Sequence, residues 1–200
     1  MAVSLLRAWW DRIRGRLVPR ACPYRFAFVL EVPGRRLVAG PAKILGAFGI
    51  AAGEKVLEIG PGIGFYSVEA ARCVGPSGRL ICLDLQGEML RETRRRIEAS
   101  RLSADLLQAD ARAIPLRSGS VDHVYLIAVL GEIPDRARAL GEIKRVLRPG
   151  GHLSVSEQFP DPDFITSRRL REELSAAGFV EERTKGWLVY ASTWVSPPPR

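Results

Sequence analysis

Cysteine is scarce in this 200-residue chain, and its three thiols, Cys22, Cys73 and Cys82, are odd in number with no CxxC pair. That excludes a disulfide framework and a cysteine-based zinc site, and no other residues show metal-ligand spacing, so no metal is expected. No apolar run reaches the roughly 20 residues of a spanning helix, and the N-terminus lacks a signal peptide's apolar core and cleavage site. The expectation is a cytoplasmic protein, with peripheral membrane attachment left open. Lysine is nearly absent, with four residues (Lys43, Lys55, Lys144, Lys185) among 30 basic ones, and there are two histidines. Repeats and low-complexity tracts are also missing. A hydrophobic content of 46% excludes a disordered chain and suffices for one sizeable core.

The net charge of +8 is unevenly placed. Residues 1–36 carry eight arginines against two acids, whereas the remaining chain holds 22 basic and 20 acidic groups. Within this basic arm, Leu5, Trp9, Ile13 and Leu17 recur at helical spacing with Leu6 and Trp10 beside them, so an amphipathic helix is expected over residues 3–18. Such a helix can dock on the domain as a lid, or its tryptophans and arginines can meet a membrane interface.

From Lys55 onward, short strands rich in Val, Ile and Leu alternate with helical segments. KVLEI, RLICLD, DLLQA, VDHVYLI and HLSVSEQ read as strands, with helices near 63–74, 86–100, 135–147 and 164–177. Strict alternation with apolar strands predicts a parallel sheet covered on both faces. GPSG at 75–78 and RPGG at 148–151 are read as helix ends. The tail breaks the rhythm: EERTKGWLVYASTWV offers two strands joined near Lys185-Gly186, so the last runs antiparallel.

The chemistry is loudest at VLEIGPGIGFYSV, residues 56–68, where a strand meets three glycines, Gly60, Gly62 and Gly64, and then a helix. Such a junction turns sharply and aims backbone N–H groups at a ligand. A dinucleotide fingerprint fails, because its third glycine position, counted from Gly60, is Phe65. The pattern is E-x-G-x-G-x-G instead. A carboxylate at Glu58 repels a pyrophosphate but suits a ligand with an ammonium and a sulfonium, which points to S-adenosylmethionine. Asp84, ending the second strand, is placed to accept from ribose hydroxyls, and Asp110, ending the third, from an adenine amine. Read without that ligand, both aspartates would simply cap the helices that follow.

With VLEIGPGIG, LDLQGEML at 83–90, DARAIPLRSGSVDHVYL at 110–126 and EIKRVLRPGGHLSVSE at 142–157, the chain resembles the class I S-adenosylmethionine-dependent methyltransferases. Within them it resembles the group of the quinone-biosynthesis C-methyltransferases, over about residues 41–195. The resemblance implies an α/β Rossmann-like three-layer sandwich whose seven-stranded mixed sheet has the order 3-2-1-4-5-7-6 with strand 7 antiparallel. It implies that Glu58 and Gly60, with Pro61, Gly62 and Gly64, lie along or beneath S-adenosylmethionine. Asp84 would hold the ribose, Leu85 would pack on the adenine, and Asp110 with Ala111 would meet the adenine edge. The segment 128–135, starting at Ala128, would form the floor beneath the sulfonium. Where many relatives carry histidine there, this chain has Gly131-Glu132, so the resemblance supplies no histidine base at that point.

Methyl transfer is an in-line displacement that depends mostly on positioning. Glu132 and Glu157 are the candidates to orient or deprotonate an acceptor, although a solvated or salt-bridged carboxylate is the plainer reading. His123, in mid-strand, and His152, opening the fifth strand, lie away from the active edge and read as structural. Cys22, Tyr24, Phe26, Phe28 and Tyr66 would line an apolar acceptor pocket. Cys22 is a lone thiol, read as a small buried group before a nucleophile. The domain reading is a basic helical arm or lid at 1–50, a cofactor-binding domain at 51–195 and a disordered tail at 196–200. The expected function is methyl transfer to a small, lipophilic or membrane-associated acceptor. The motifs of base-modifying enzymes are missing, which disfavours nucleic acid. The alternatives are an RNA or protein methyltransferase docking through the arginine arm, or a non-catalytic cofactor-binding partner protein. No motif speaks to oligomeric state.

Overall fold

The computed structural model describes residues 39–198. The basic helix expected at 3–18 and the segment with Cys22, Tyr24, Phe26 and Phe28 lie outside the described residues.

Seven strands form one sheet: β1 (Lys55–Ile59), β2 (Arg79–Asp84), β3 (Asp105–Gln108), β4 (Val121–Ile127), β5 (Leu147–Gln158), β6 (Val180–Gly186) and β7 (Val189–Val195). Their order is β3-β2-β1-β4-β5-β7-β6, and β7 runs antiparallel to both neighbours. This is the architecture the family resemblance implies. KVLEI, RLICLD and VDHVYLI form strands over the expected residues, because turn-forming residues bound each apolar run.

Alternation along the strands sorts side chains to two cores. On one face Leu57, Ile59, Val124, Leu126, Leu153 and Val155 pack against α4 (Arg136–Val146) and α5 (Ser167–Ala176). On the other, Val56, Leu80, Cys82 and Tyr125 meet α1 (Pro41–Phe48), α2 (Ser67–Val74) and α3 (Gly87–Ala99). Helix α1 buries Ile44, Leu45 and Phe48 in this second core, so the described end of the expected arm is packed onto the domain. Its C-terminal carbonyls are held by Arg183, which donates to Ala47 O at 3.0 Å and Phe48 O at 2.6 Å.

Three local expectations differ from the structure. Gly60 to Tyr66 stays a turn, and α2 starts at Ser67 instead of near 63, because three positive-φ glycines interrupt the helical path. RPGG does not cap α4. Leu147 already belongs to β5, and the Arg148–Gly151 segment is absorbed as an irregularity between the Val121–Leu147 and His123–His152 pairs. At the tail, Ser196 is buried and exchanges hydrogen bonds with Gly150 and Gly151, so order extends past 195.

The edge β5–β7–β6 rests on Trp194, which is fully buried and donates from Nε1 to Ser192 Oγ at 2.7 Å. Trp194→Ala is expected to cost about 3–5 kcal/mol. Urea unfolding of the two proteins measures the difference.

Candidate active site

The carboxyl ends of the parallel strands converge on one rim, where the glycine loop, Asp84, Asp110 and the β4 and β5 termini meet. Gly60 opens the loop with φ +70°, and a Cβ there would lie 2.5 Å from Val129 Cγ2 on the segment after β4. Gly64, at φ +80°, also passes tightly against the α3 backbone: its Cβ would stand 3.0 Å from Thr93 Cα. Thr93 ties α3 to the loop by donating to Gly62 O at 2.9 Å. Ala128, the first residue beyond β4, is held at φ +54° by its N–H bond to Ser156 O. A non-glycine residue rarely adopts that conformation, which costs about 1–3 kcal/mol and concentrates at functional sites.

Glu58 is wholly buried, facing Cys82 and Tyr125 across the register of β1 with β2 and β4. Cys82 Sγ lies 3.4 Å from its Oε2. Burial pushes the Glu58 carboxyl up to about 7, against the opposing influence of Ser67, Tyr125 and Cys82. Asp84, also buried, accepts from Gln86 N at 2.8 Å. Burial raises its pKa too, opposed by backbone N–H groups of Gln86, Gly62 and Leu85. Beside it Leu85 is exposed, an apolar platform at the rim. Asp110 accepts from Arg112 N at 2.8 Å and pairs with the Arg112 guanidinium, Nη2 to Oδ2 2.6 Å, which lowers its pKa. Both aspartates thus bond two residues ahead, in Asx turns rather than helix caps.

Beyond β4, Glu132 ends a short 3-10 turn, Leu130–Glu132, and its neighbour Gly131 packs on the carbonyl of Asp163, where a side chain would collide. That contact explains a glycine at 131. Glu157 on β5 is 1% exposed, and its Oε1 has no hydrogen-bond partner. Burial drives its pKa well above the ordinary value for a glutamate, and the charges of Asp161, Glu132 and Asp163 add to that. A carboxyl kept protonated donates a hydrogen bond to an acceptor; it does not take a proton from one. Tyr66 is buried, donating to Ala39 O at 2.8 Å while accepting from Gln158 Nε2 at 2.7 Å. It joins the loop, the chain entering α1 and the end of β5.

Sequence reasoning missed an apolar lip on this rim. Trp187 and Leu188, at the β6–β7 turn, are 80% and 49% exposed, and Phe159 just past β5 is 57% exposed. Phe159 N donates to Leu188 O at 2.7 Å, which joins the two loops. Phe164 follows edge-on to Phe159 at 6.2 Å and to Tyr190 at 6.0 Å, and Tyr190 pairs in register with Glu157. The signal was an apolar pair at a hairpin tip, where polar residues are the rule.

Residues 57–155 match the methyltransferase domain family. An uncharacterized 37.1 kDa protein in transposon TN4556 of Streptomyces fradiae is 34% identical over 156 residues, covering 78% of this chain and 44% of that protein. The ubiquinone/menaquinone biosynthesis C-methyltransferase UbiE of Hahella chejuensis is 37% identical over 111 residues, covering 54% of this chain and 45% of its own length. The matches therefore span less than half of these relatives. Among solved structures, a SAM dependent methyltransferase from Aquifex aeolicus superposes with a TM-score of 0.81 at 24% identity, covering 88% of this chain and 99% of that one.

Two outcomes follow from this geometry. Asp84→Ala removes a charged hydrogen-bond acceptor and is expected to weaken S-adenosylmethionine about 10- to 100-fold by calorimetry. Glu58 binds its proton up to about pH 7 when folded, against 4.5 for its ordinary value. The folded state therefore holds the extra proton between those values, and stability falls as pH rises through 7. Without ligand, the chain is expected to lose about 3 kcal/mol between pH 4.5 and 8 on this account. Denaturant unfolding of Glu58→Gln should show that dependence flattened.

Proposed function

Because the chain belongs to the class I S-adenosylmethionine-dependent methyltransferases, we propose that it transfers a methyl group to a small apolar acceptor that enters over the lip of Phe159, Trp187 and Leu188. S-adenosylmethionine, the cofactor of this family, supplies an activated methyl on its sulfonium. The residues fit it: a glycine turn too close to Val129 and Thr93 for side chains, a carboxylate at Asp84 and an exposed platform at Leu85. Asp84 would orient the ribose. Ala128 and Val129 would support the reacting end, set by the backbone that Ala128 strains to hold.

The observation that carries the acceptor class is the lip, continued inward by Phe164 and Tyr190 toward Glu157. Exposed aromatic and aliphatic side chains at the mouth of a site favour an apolar guest, since each covered side chain leaves water. Glu157, kept protonated, would donate to a carbonyl or hydroxyl oxygen of the acceptor. The curated C-methyltransferase relative makes ring-bearing quinone precursors the first acceptors to try. Its shared segment is less than half of its length, so the acceptor is this chain's own question. The basic arm at 3–18, outside the described residues, would add contact with a membrane surface. Among the described residues, no helix is long and apolar enough to cross a membrane.

The test incubates the protein with methyl-labelled S-adenosylmethionine and cell extract, then partitions label between organic solvent and the RNA-plus-protein fraction. Label is expected in the organic phase, and Trp187→Ser/Leu188→Ser should raise KM for that acceptor about tenfold while leaving cofactor affinity unchanged. Label confined to macromolecules overturns the reading and favours docking through the arginine arm.

A further inference from the structure

Away from the glycine loop, at the opposite end of the sheet, the fold gathers three ligand-bearing side chains that are distant in sequence. Glu54 immediately precedes β1, His123 lies on β4, and His152 stands beside it on β5 as its register partner. One ligand atom from each lies within 4.8 Å of the other two. The imidazole rings are 5.6 Å apart, and His123 Nδ1 faces Glu54 Oε2 at 3.7 Å.

His123 is 1% exposed, and its Nδ1 has no hydrogen-bond partner. The 3.7 Å separation from Glu54 is too long for a hydrogen bond. The other ring nitrogen is engaged: Nε2 is 2.9 Å from Ser154 Oγ, which is itself 3.0 Å from Thr193 Oγ1. A ring whose Nε2–H is held by a buried hydroxyl presents the Nδ1 lone pair, and that outer bond is the usual support of a metal-bound histidine. Burial also lowers the His123 pKa, against the opposing influence of Glu54, and so favours the neutral ligand form.

We propose that Glu54, His123 and His152 bind a borderline divalent cation of the zinc class. Two imidazoles and a carboxylate are the donor set that such an ion prefers, and its tetrahedral ligands stand about 3.4 Å apart, so His123 and Glu54 at 3.7 Å are close to ligand spacing and the partly exposed His152 ring closes the rest on binding. Glu54 Oε2 already accepts from Ala51 N at 3.0 Å, which fixes the carboxylate without exhausting its lone pairs. Glu182 lies 3.7 Å from His152 Nε2 and adds negative charge. The nearby positive charge is Arg183, whose guanidinium is committed to the α1 carbonyls and to Glu182. Bound there, the ion would tie the start of β1 to β4 and β5, far from the cofactor rim.

The experiment titrates full-length protein, freed of metal by chelator and dialysis, with Zn2+ by calorimetry and with Co2+ by visible absorption. His152 is one-third exposed and Glu54 is on the surface side of the cluster, so His152→Ala and Glu54→Gln are the variants, with S-adenosylmethionine affinity as the check that each is folded. One equivalent of Zn2+ is expected, with a tetrahedral cobalt spectrum, a higher Tm and at least tenfold weaker binding in each variant. Ser154→Ala should weaken binding about 10- to 100-fold. Absence of one-equivalent binding overturns the proposal, as does Zn2+ affinity that either variant changes less than tenfold, since the ion would then sit elsewhere, for example on the thiols.

Discussion

The close approach of Gly60 to Val129 is the contact on which the site depends. It lies between β1 and β4, where the chain's progress across the sheet reverses: β2 and β3 build outward on one side of β1, and β4 begins the other. Loops leaving neighbouring strands in opposite directions open a crevice at that point. Only a residue without Cβ, at positive φ, lets the glycine loop lie against the segment after β4. Ala128, strained in the same neighbourhood, shows that the other wall is held as tightly.

Around that crevice the protein buries two carboxyls on opposite faces of one sheet. Glu58 points into the layer of α1, α2 and α3, and Glu157 into the layer of α4 and α5. Both lose solvent, and both are pushed toward the protonated form. The acids at the next strand ends differ in partner. Asp84 is satisfied by backbone N–H groups, whereas Asp110 is held by a guanidinium and stays ionised. Burial and partner, not residue type, thus separate similar acids: burial pushes Glu58, Glu157 and Asp84 upward, and the guanidinium holds Asp110 down.

Much of this was legible in the residues. The strand boundaries of β1, β2 and β4 followed from apolar runs closed by Gly, Pro or Asp, and the broken rhythm after 179 announced the antiparallel β7. The glycine loop and the three acids at strand ends were visible because loop chemistry is local. Less legible were the RPGG segment, which joins β5 instead of ending α4, and Ser196, which is ordered by bonds to Gly150 and Gly151. In both places a long-range pairing overrides a local turn signal.

The sequence by itself determined the alternation of strand and helix, the sheet's mixed edge and the chemistry of the glycine turn, because each depends on neighbours within a few residues. Tertiary structure alone decided that Glu157 is a buried acid facing Tyr190. It also decided that Phe159, Trp187 and Leu188 form one lip, and that Glu54, His123 and His152 meet at the opposite end of the sheet. Those groups come from separate strands, and which of them touch is set by sheet order and register, quantities that no single segment carries.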